Sequence, residues 1–179
     1  MQNLSIVCTQ TTKSCSFRLP CFAQWSVKIS IDESMEMYKP EKLVWSESDF
    51  EIMGWHDCPI YGILFADNFV LDIDYIFNWV LNEQNGHYKF WISPATLVFE
   101  LERNLKIEID SDFINGLEIA DIHQQKLEND EYKYQIETQE GDIYLIASGY
   151  RQYIRKNHVL KKSQGLTNED RDGYSFITI

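Results

Sequence analysis

The sequence predicts an all-β, mainly antiparallel chain: a single rolled sheet, sandwich or barrel of about eight short strands, with at most one or two short helices. Three observations carry this. Apolar and polar residues alternate through several stretches, most strictly in Leu105-Lys106-Ile107-Glu108-Ile109-Asp110 and Tyr132-Lys133-Tyr134-Gln135-Ile136-Glu137-Thr138, and a period of two is that of a half-buried strand. Turn residues recur between these stretches at the short spacing of hairpin-linked strands. Helical periodicity is nearly absent.

The elements follow in order. Leu43-Val44-Trp45 is a short apolar run, and Ser46-Glu47-Ser48-Asp49 a polar break. Met53-Gly54-Trp55-His56-Asp57-Cys58-Pro59 leads into Ile60 to Phe65. The turn Ala66-Asp67-Asn68 then returns the chain through Phe69 to Val80, which reads as a hairpin. Within it, Tyr75 to Leu81 also suits a short helix capped by Asp74, because Ile76, Phe77, Trp79 and Val80 are apolar. Asn82 to Gly86 is a loop by composition. Tyr88 to Ile92 is a strand that Ser93-Pro94 is expected to interrupt, since proline cannot donate to a ladder. The strand resumes at Thr96 to Leu101. Leu117 to Gln124 places Leu117, Ile119 and Asp121 on one face. Glu140-Gly141-Asp142 turns into Ile143 to Ala147 and completes a hairpin. The expected core comprises Trp55, Ile63, Phe65, Ile73, Trp91, Leu97 and Phe99.

The 179 residues suffice for one sizeable core. With 44% hydrophobic and 14% aromatic residues the bulk of the chain is not of disordered composition. Three regions are expected: an atypical N-terminal arm over 1–37, a β domain over 38–155, and a polar C-terminal tail over 156–179. The arm holds Cys8, Cys15 and Cys21 and has no clean periodicity. Met35 and Met37 close it, so it is a loosely attached arm, an added strand built on the alternating Trp25 to Ile31, or the product of a mis-assigned start. No apolar run reaches the roughly 18 residues of a transmembrane helix, and no secretory leader is recognisable. Without C-x-x-C spacing the cysteines do not suggest zinc. Reduced thiols and a cytoplasmic setting are expected.

The net charge of −12 disfavours nucleic acid and anionic membranes as partners, because both repel an acidic body. It leaves two readings, charge for solubility alone or an acidic surface for a basic protein.

The motifs Trp55-His56-Asp57, Leu71-Asp72-Ile73-Asp74-Tyr75-Ile76, Phe90 to Glu100 (FWISPATLVFE) and Ser148-Gly149-Tyr150-Arg151-Gln152-Tyr153 resemble those of a family of small uncharacterised bacterial proteins, a domain of unknown function. The resemblance spans about Lys42 to Arg155. It implies a bacterial cytoplasmic protein and supplies no activity.

The candidate site residues are His56, Asp57, Asp72, Asp74 and Glu100. Asp72 and Asp74 are two apart on a strand and so share a face. Folding the hairpin about residue 67 sets position 60 near 74, which would bring Asp74, and less closely Asp72, toward His56 and Asp57. Such a cluster would hold a divalent cation or share a proton; the competing explanation is an ordinary wet face of a sheet. His56 and Cys58 share a face if extended and would then suit a Cys–His nucleophile, although nothing nearby forms an oxyanion hole. Trp55, Tyr61, Trp79 and Trp91 are expected in or at the core edge, with ligand stacking as the alternative. Glu100 with Glu102, and Glu108 with Asp110, form acidic faces suited to a basic protein. The basic run Arg151 to Lys162 is either a counterweight to them or a solvated tail. Two functions follow from these residues: a non-enzymatic acidic binding protein, such as a bacterial immunity or inhibitor protein for a basic partner, or a small hydrolase or metal-dependent enzyme built on His56, Asp57, Asp72 and Asp74. The first implies no cofactor and no catalytic residue; the metal question stays open.

Overall fold

The computed structural model describes residues 38–112 and 116–178. The expectations for the arm over 1–37, the start-site reading included, lie outside the described residues. Tyr38 to Ile179 forms one compact unit.

Ten strands make a single open sheet in which every pair is antiparallel: β1 (Val44–Ser46), β2 (Cys58–Phe65), β3 (Phe69–Asn82), β4 (His87–Glu100), β5 (Arg103–Ile109), β6 (Leu117–Lys126), β7 (Tyr132–Thr138), β8 (Gly141–Ala147), β9 (Gly149–Ile154) and β10 (Val159–Lys161). The order is β1-β9-β4-β3-β2-β6-β7-β8-β5, and β10 pairs with β4 beyond β9. A 3₁₀ helix, Glu47–Ile52, and a four-residue helix α1, Asn168–Arg171, complete the fold. The sheet is rolled but not closed into a barrel. Phe99 of β4 and Tyr134 of β7 have three strands between them in the sheet order, yet their rings meet at 4.9 Å.

The inner face carries the core. Cross-strand rows such as Phe69–Phe99–Tyr150 and Leu71–Leu97–Gln152 run from β3 through β4 to β9, and Phe69, Leu71, Ile73, Leu97, Phe99 and Tyr150 are almost fully buried. Trp55 joins them and donates its indole N–H to Gln152 Oε1 at 2.8 Å, which satisfies a polar handle inside an apolar core. Of the expected core, Ile63 is only half-buried and Phe65 is 60% exposed. Phe65 faces inward like Phe69, its pairing partner, but it sits at the hairpin tip where the sheet ends. Trp91 is buried away from the main cluster, with its ring 5.2 Å from His158.

Three local expectations fail for identifiable reasons. Tyr75 to Leu81 is strand, not helix, because β3 pairs with β4 over its whole length. A bulge between Ile76 and Asn78 lets adjacent apolar residues both face packed surroundings, and that doublet imitates a helical stripe. Pro94 does not interrupt β4. Its carbonyl accepts the N–H of Arg155 at 3.0 Å, so its missing donor falls on the side where β9 has ended and β10 has yet to begin. A second bulge between Ile119 and Asp121 shifts the phase of β6, turning Ile122 inward and leaving Asp121 exposed.

Leu101 takes a left-handed φ of 52°, but most such positions hold residues that tolerate that region. Asp57, Asn104, Asp130 and Asp172 take φ of 59°, 55°, 57° and 61°. Gly141 (φ 143°) opens β8 where a Cβ would lie 2.0 Å from the Glu108 carbonyl oxygen, so only glycine lets β5 approach there.

Candidate functional site

Alternation in β3 sends Leu71, Ile73 and Tyr75 into the core and Asp72 and Asp74 to the outer face. That face is covered by the segment 163–178, whose composition marks it as a polar tail. In the structure the segment carries α1 and buries Leu166 and Arg171. Thr167 and Asp170 form a capping box at the start of α1, which fixes the turn that aims Arg171 inward.

Asp72 and Asp74 are fully buried, and the side chains of Arg155 and Arg171 are 6% and 2% exposed. Arg171 donates Nη1 to Asp74 and Nη2 to Asp72. Arg155 donates Nη2 to Asp72 at 2.5 Å and Nη1 to the Thr96 hydroxyl and the Ser175 carbonyl. Backbone donors complete the carboxylates: Leu166 N–H to Asp74 at 2.7 Å and Ser175 N–H to Asp72 at 3.0 Å. The Tyr61 ring lies 3.7 Å from the Arg171 guanidinium carbon, a cation–π contact. Two carboxylates and two guanidiniums sum to zero charge, which is what allows all four to be buried. Burial pushes the Asp74 carboxyl above the usual carboxylate range, while Leu166 N–H, Arg171 and Tyr61 pull it back. Burial and the Asp74 charge raise the Tyr61 phenol.

His56 and Asp57 form a separate, more exposed pair. His56 Nε2 lies 3.6 Å from Asp57 Oδ1, and Nδ1 lies 3.0 Å from the Ala120 carbonyl. The imidazole stacks on Trp79 at 5.9 Å and 23°. Gln164 donates to Asp57 Oδ2 at 2.6 Å. No hydrogen bond or ion pair joins this pair to Asp72 and Asp74 among the described residues. The bulge in β2 pairs Ile60 with Ile73 rather than Asp74, and the arginines hold both carboxylates on their own face. No group of three or more His, Cys, Asp or Glu among the described residues is placed to hold a metal ion. The left-handed turn at Asp57 also breaks the extended spacing that a Cys–His pair requires. Cys58 is buried while His56 is exposed, and burial pushes the Cys58 thiol up to about 12.

Glu100 ends β4, where its side chain lies 3.4 Å from Arg151 Nε. Two more members of the basic run are paired locally: Lys156 with Asp172 and Lys161 with Asp170.

A second group of charged side chains lies elsewhere. On the outer face of β6, β7, β8 and β5 the register sets Asp121 opposite Glu137, Glu137 opposite Asp142, and Asp142 opposite Glu108. Four carboxylates therefore form one cross-strand row. Basic side chains reach it from the adjacent row: His123 lies 3.2 Å from Glu137, and Lys106 lies 2.8 Å from Glu108. Glu118 is half-buried; its carboxyl is raised by burial and by the charges of Asp57 and Glu140, so the negative field extends to the end of β2.

Sequence reasoning did not single out Arg155, Arg171 or Tyr61 as partners of Asp72 and Asp74, nor the Asp121–Glu137–Asp142–Glu108 row. Alternation marked Asp72, Asp74, Glu137 and Glu108 as outward and Asp121 as inward, and which acids become neighbours depends on the bulge in β6 and on the strand order. No helix among the described residues is long and apolar enough to cross a membrane. In comparisons with protein-family models, with curated proteins and with solved structures, nothing matches this chain.

Proposed function

We propose that this chain is a non-enzymatic acidic binding protein of the bacterial cytoplasm, acting as an immunity or inhibitor protein does on a basic protein partner. The observation that carries this reading is the row of four carboxylates across β6, β7, β8 and β5. Like charges directly opposite one another destabilise a sheet, and this arrangement sums their field over one face. A basic surface docked there would relieve the repulsion and be steered to the site. The enzymatic alternative has less support, because Asp72 and Asp74 already have arginine partners from the same chain.

The test is capture. The purified chain should retain a basic protein from an extract of its own source at low ionic strength and release it at about 1 M salt, where the screening length falls to about 3 Å. A variant carrying Asp121→Asn, Glu137→Gln, Asp142→Asn and Glu108→Gln should fold and lose the capture. A basic partner held equally by this variant would remove the row from the interface. Failure to retain any basic protein would remove the function.

A further inference from the structure

We propose that the cavity between the far end of the β3–β4 hairpin and the segment following β10 is a binding site for a small phosphate ester that carries a ring. The cavity measures about 530 Å³, within the size range of ligand pockets. Trp79 and Phe90 supply an aromatic wall, with ring centroids 5.1 Å apart. Trp79 remains 38% exposed there. It lies where the hairpin has run past β2, so its apolar surface is not absorbed into the main core.

The polar lining is biased toward donors. Asn82 Oδ1 accepts the Gln84 N–H and Asn85 Oδ1 accepts the His87 N–H, both at 3.0 Å. These bonds occupy the amide oxygens. Neither amide nitrogen has a hydrogen-bond partner among the described residues, and an NH₂ group has only protons to offer. Lys89 and Lys162 also line the cavity and are in no ion pair among the described residues. Elsewhere the cations of this chain are largely spent on its own acids, as in Arg155 with Asp72, Lys156 with Asp172 and Lys161 with Asp170. Among the described residues the lining contains no Asp or Glu, in a chain that has 28 of them.

Unspent ammonium and amide donors beside an aromatic wall call for an acceptor-rich anion joined to a flat or ring-shaped body. Lysine meets phosphate as a compact point charge, and an indole face stacks on a base or on the C–H face of a sugar. A phosphate ester of a nucleoside or of a hexose has both parts. The site is independent of the acidic row on β5 to β8, and its occupant has the opposite charge.

The experiment is isothermal titration of the full chain at low salt with adenosine 5′-monophosphate, glucose 6-phosphate and inorganic phosphate. At least one ester should bind about tenfold or more tightly than inorganic phosphate, as a stacked ring contributes. Preference for the nucleotide identifies a base on Trp79, and preference for the sugar phosphate identifies the hexose; either supports the site. Lys162→Gln should weaken binding about tenfold, as loss of one charge-assisted contact does, without shifting the melting temperature, because Lys162 is exposed and unpaired. Trp79→Ala should remove the advantage of the ring-bearing ester, and Trp79→Phe should restore part of it. Ester binding no tighter than that of inorganic phosphate, or affinity unchanged in Lys162→Gln, overturns the proposal.

Discussion

Replacing Arg171 with Met tests whether the outer face of β3 is held by charge pairing through the C-terminal segment. Arg171 reaches Asp74 and Asp72 together and rests on Tyr61. Methionine keeps much of the apolar stem and removes the guanidinium. Asp72 retains Arg155 and Ser175 N–H, whereas Asp74 loses its only arginine among the described residues. Breaking a buried pair from one side costs about 3–5 kcal/mol; loss of the cation–π contact adds about 0.5–2 kcal/mol. Relaxation of the exposed ends of the segment would bring the measured total toward the lower figure. Urea denaturation followed by tryptophan fluorescence measures it. The pH dependence identifies the cause. Without Arg171 the folded-state pKa of Asp74 rises further above its unfolded value, so the folded state binds the proton more tightly. Stability of the variant then falls as pH rises from the unfolded value near 3.8 through the raised folded value, and levels off above it. The deficit relative to the parent is therefore largest at neutral pH and shrinks in acid, where a protonated Asp74 needs no counter-ion. The double variant Arg171→Met, Asp74→Leu should recover part of the loss at pH 7, since paired removal of buried charges costs less than removal of one. A loss below about 1 kcal/mol for Arg171→Met, far under the expected range, or a deficit constant between pH 4 and 7, would refute the reasoning.

Phe99→Ala should cost about 3–5 kcal/mol in denaturant, as truncation of a buried aromatic does, while Phe65→Ala at the exposed hairpin tip should stay within about 0.5 kcal/mol, as surface changes do. Gly141→Ala should lower the melting temperature markedly and disturb the β5–β8 pairing, because its Cβ would meet the Glu108 carbonyl oxygen at 2.0 Å; amide exchange on Ile107 and Ile109 reads this directly, and unchanged protection would argue against the close approach. With its thiol raised to about 12, Cys58 should resist alkylation at pH 8 in the folded chain and react once the chain is unfolded in urea, as mapped by mass spectrometry of the labelled peptide; rapid native labelling would show that β2 does not bury it.

The alternating stretches were enough to make the class legible, because a period of two leaves a strand only one way to present an apolar face. They located Leu71, Ile73, Leu97 and Phe99 in the core and the turn about residue 67, where Phe65 pairs with Phe69. Local signals failed where the backbone departs from that period. The bulge after Ile76 made a strand look helical, the bulge after Ile119 reversed Asp121 and Ile122, and Pro94 passed through β4 at the one place where its missing donor is not needed. For the candidate site, sequence could say that Asp72 and Asp74 share a face, but not what covers it. That answer lies about a hundred residues away in Arg171, whose own surroundings read as a polar tail. The acidic row has the same origin: the bulge in β6 turns Asp121 outward, and the order β6-β7-β8-β5 makes it a neighbour of Glu137, Asp142 and Glu108. Composition and periodicity are local properties of the chain, and what they govern could be read directly from it: the strand class, the main core faces and the net charge. Strand order and the path of the C-terminal segment depend on pairing and burial between residues far apart in the chain, so which charges meet is a property of the folded molecule.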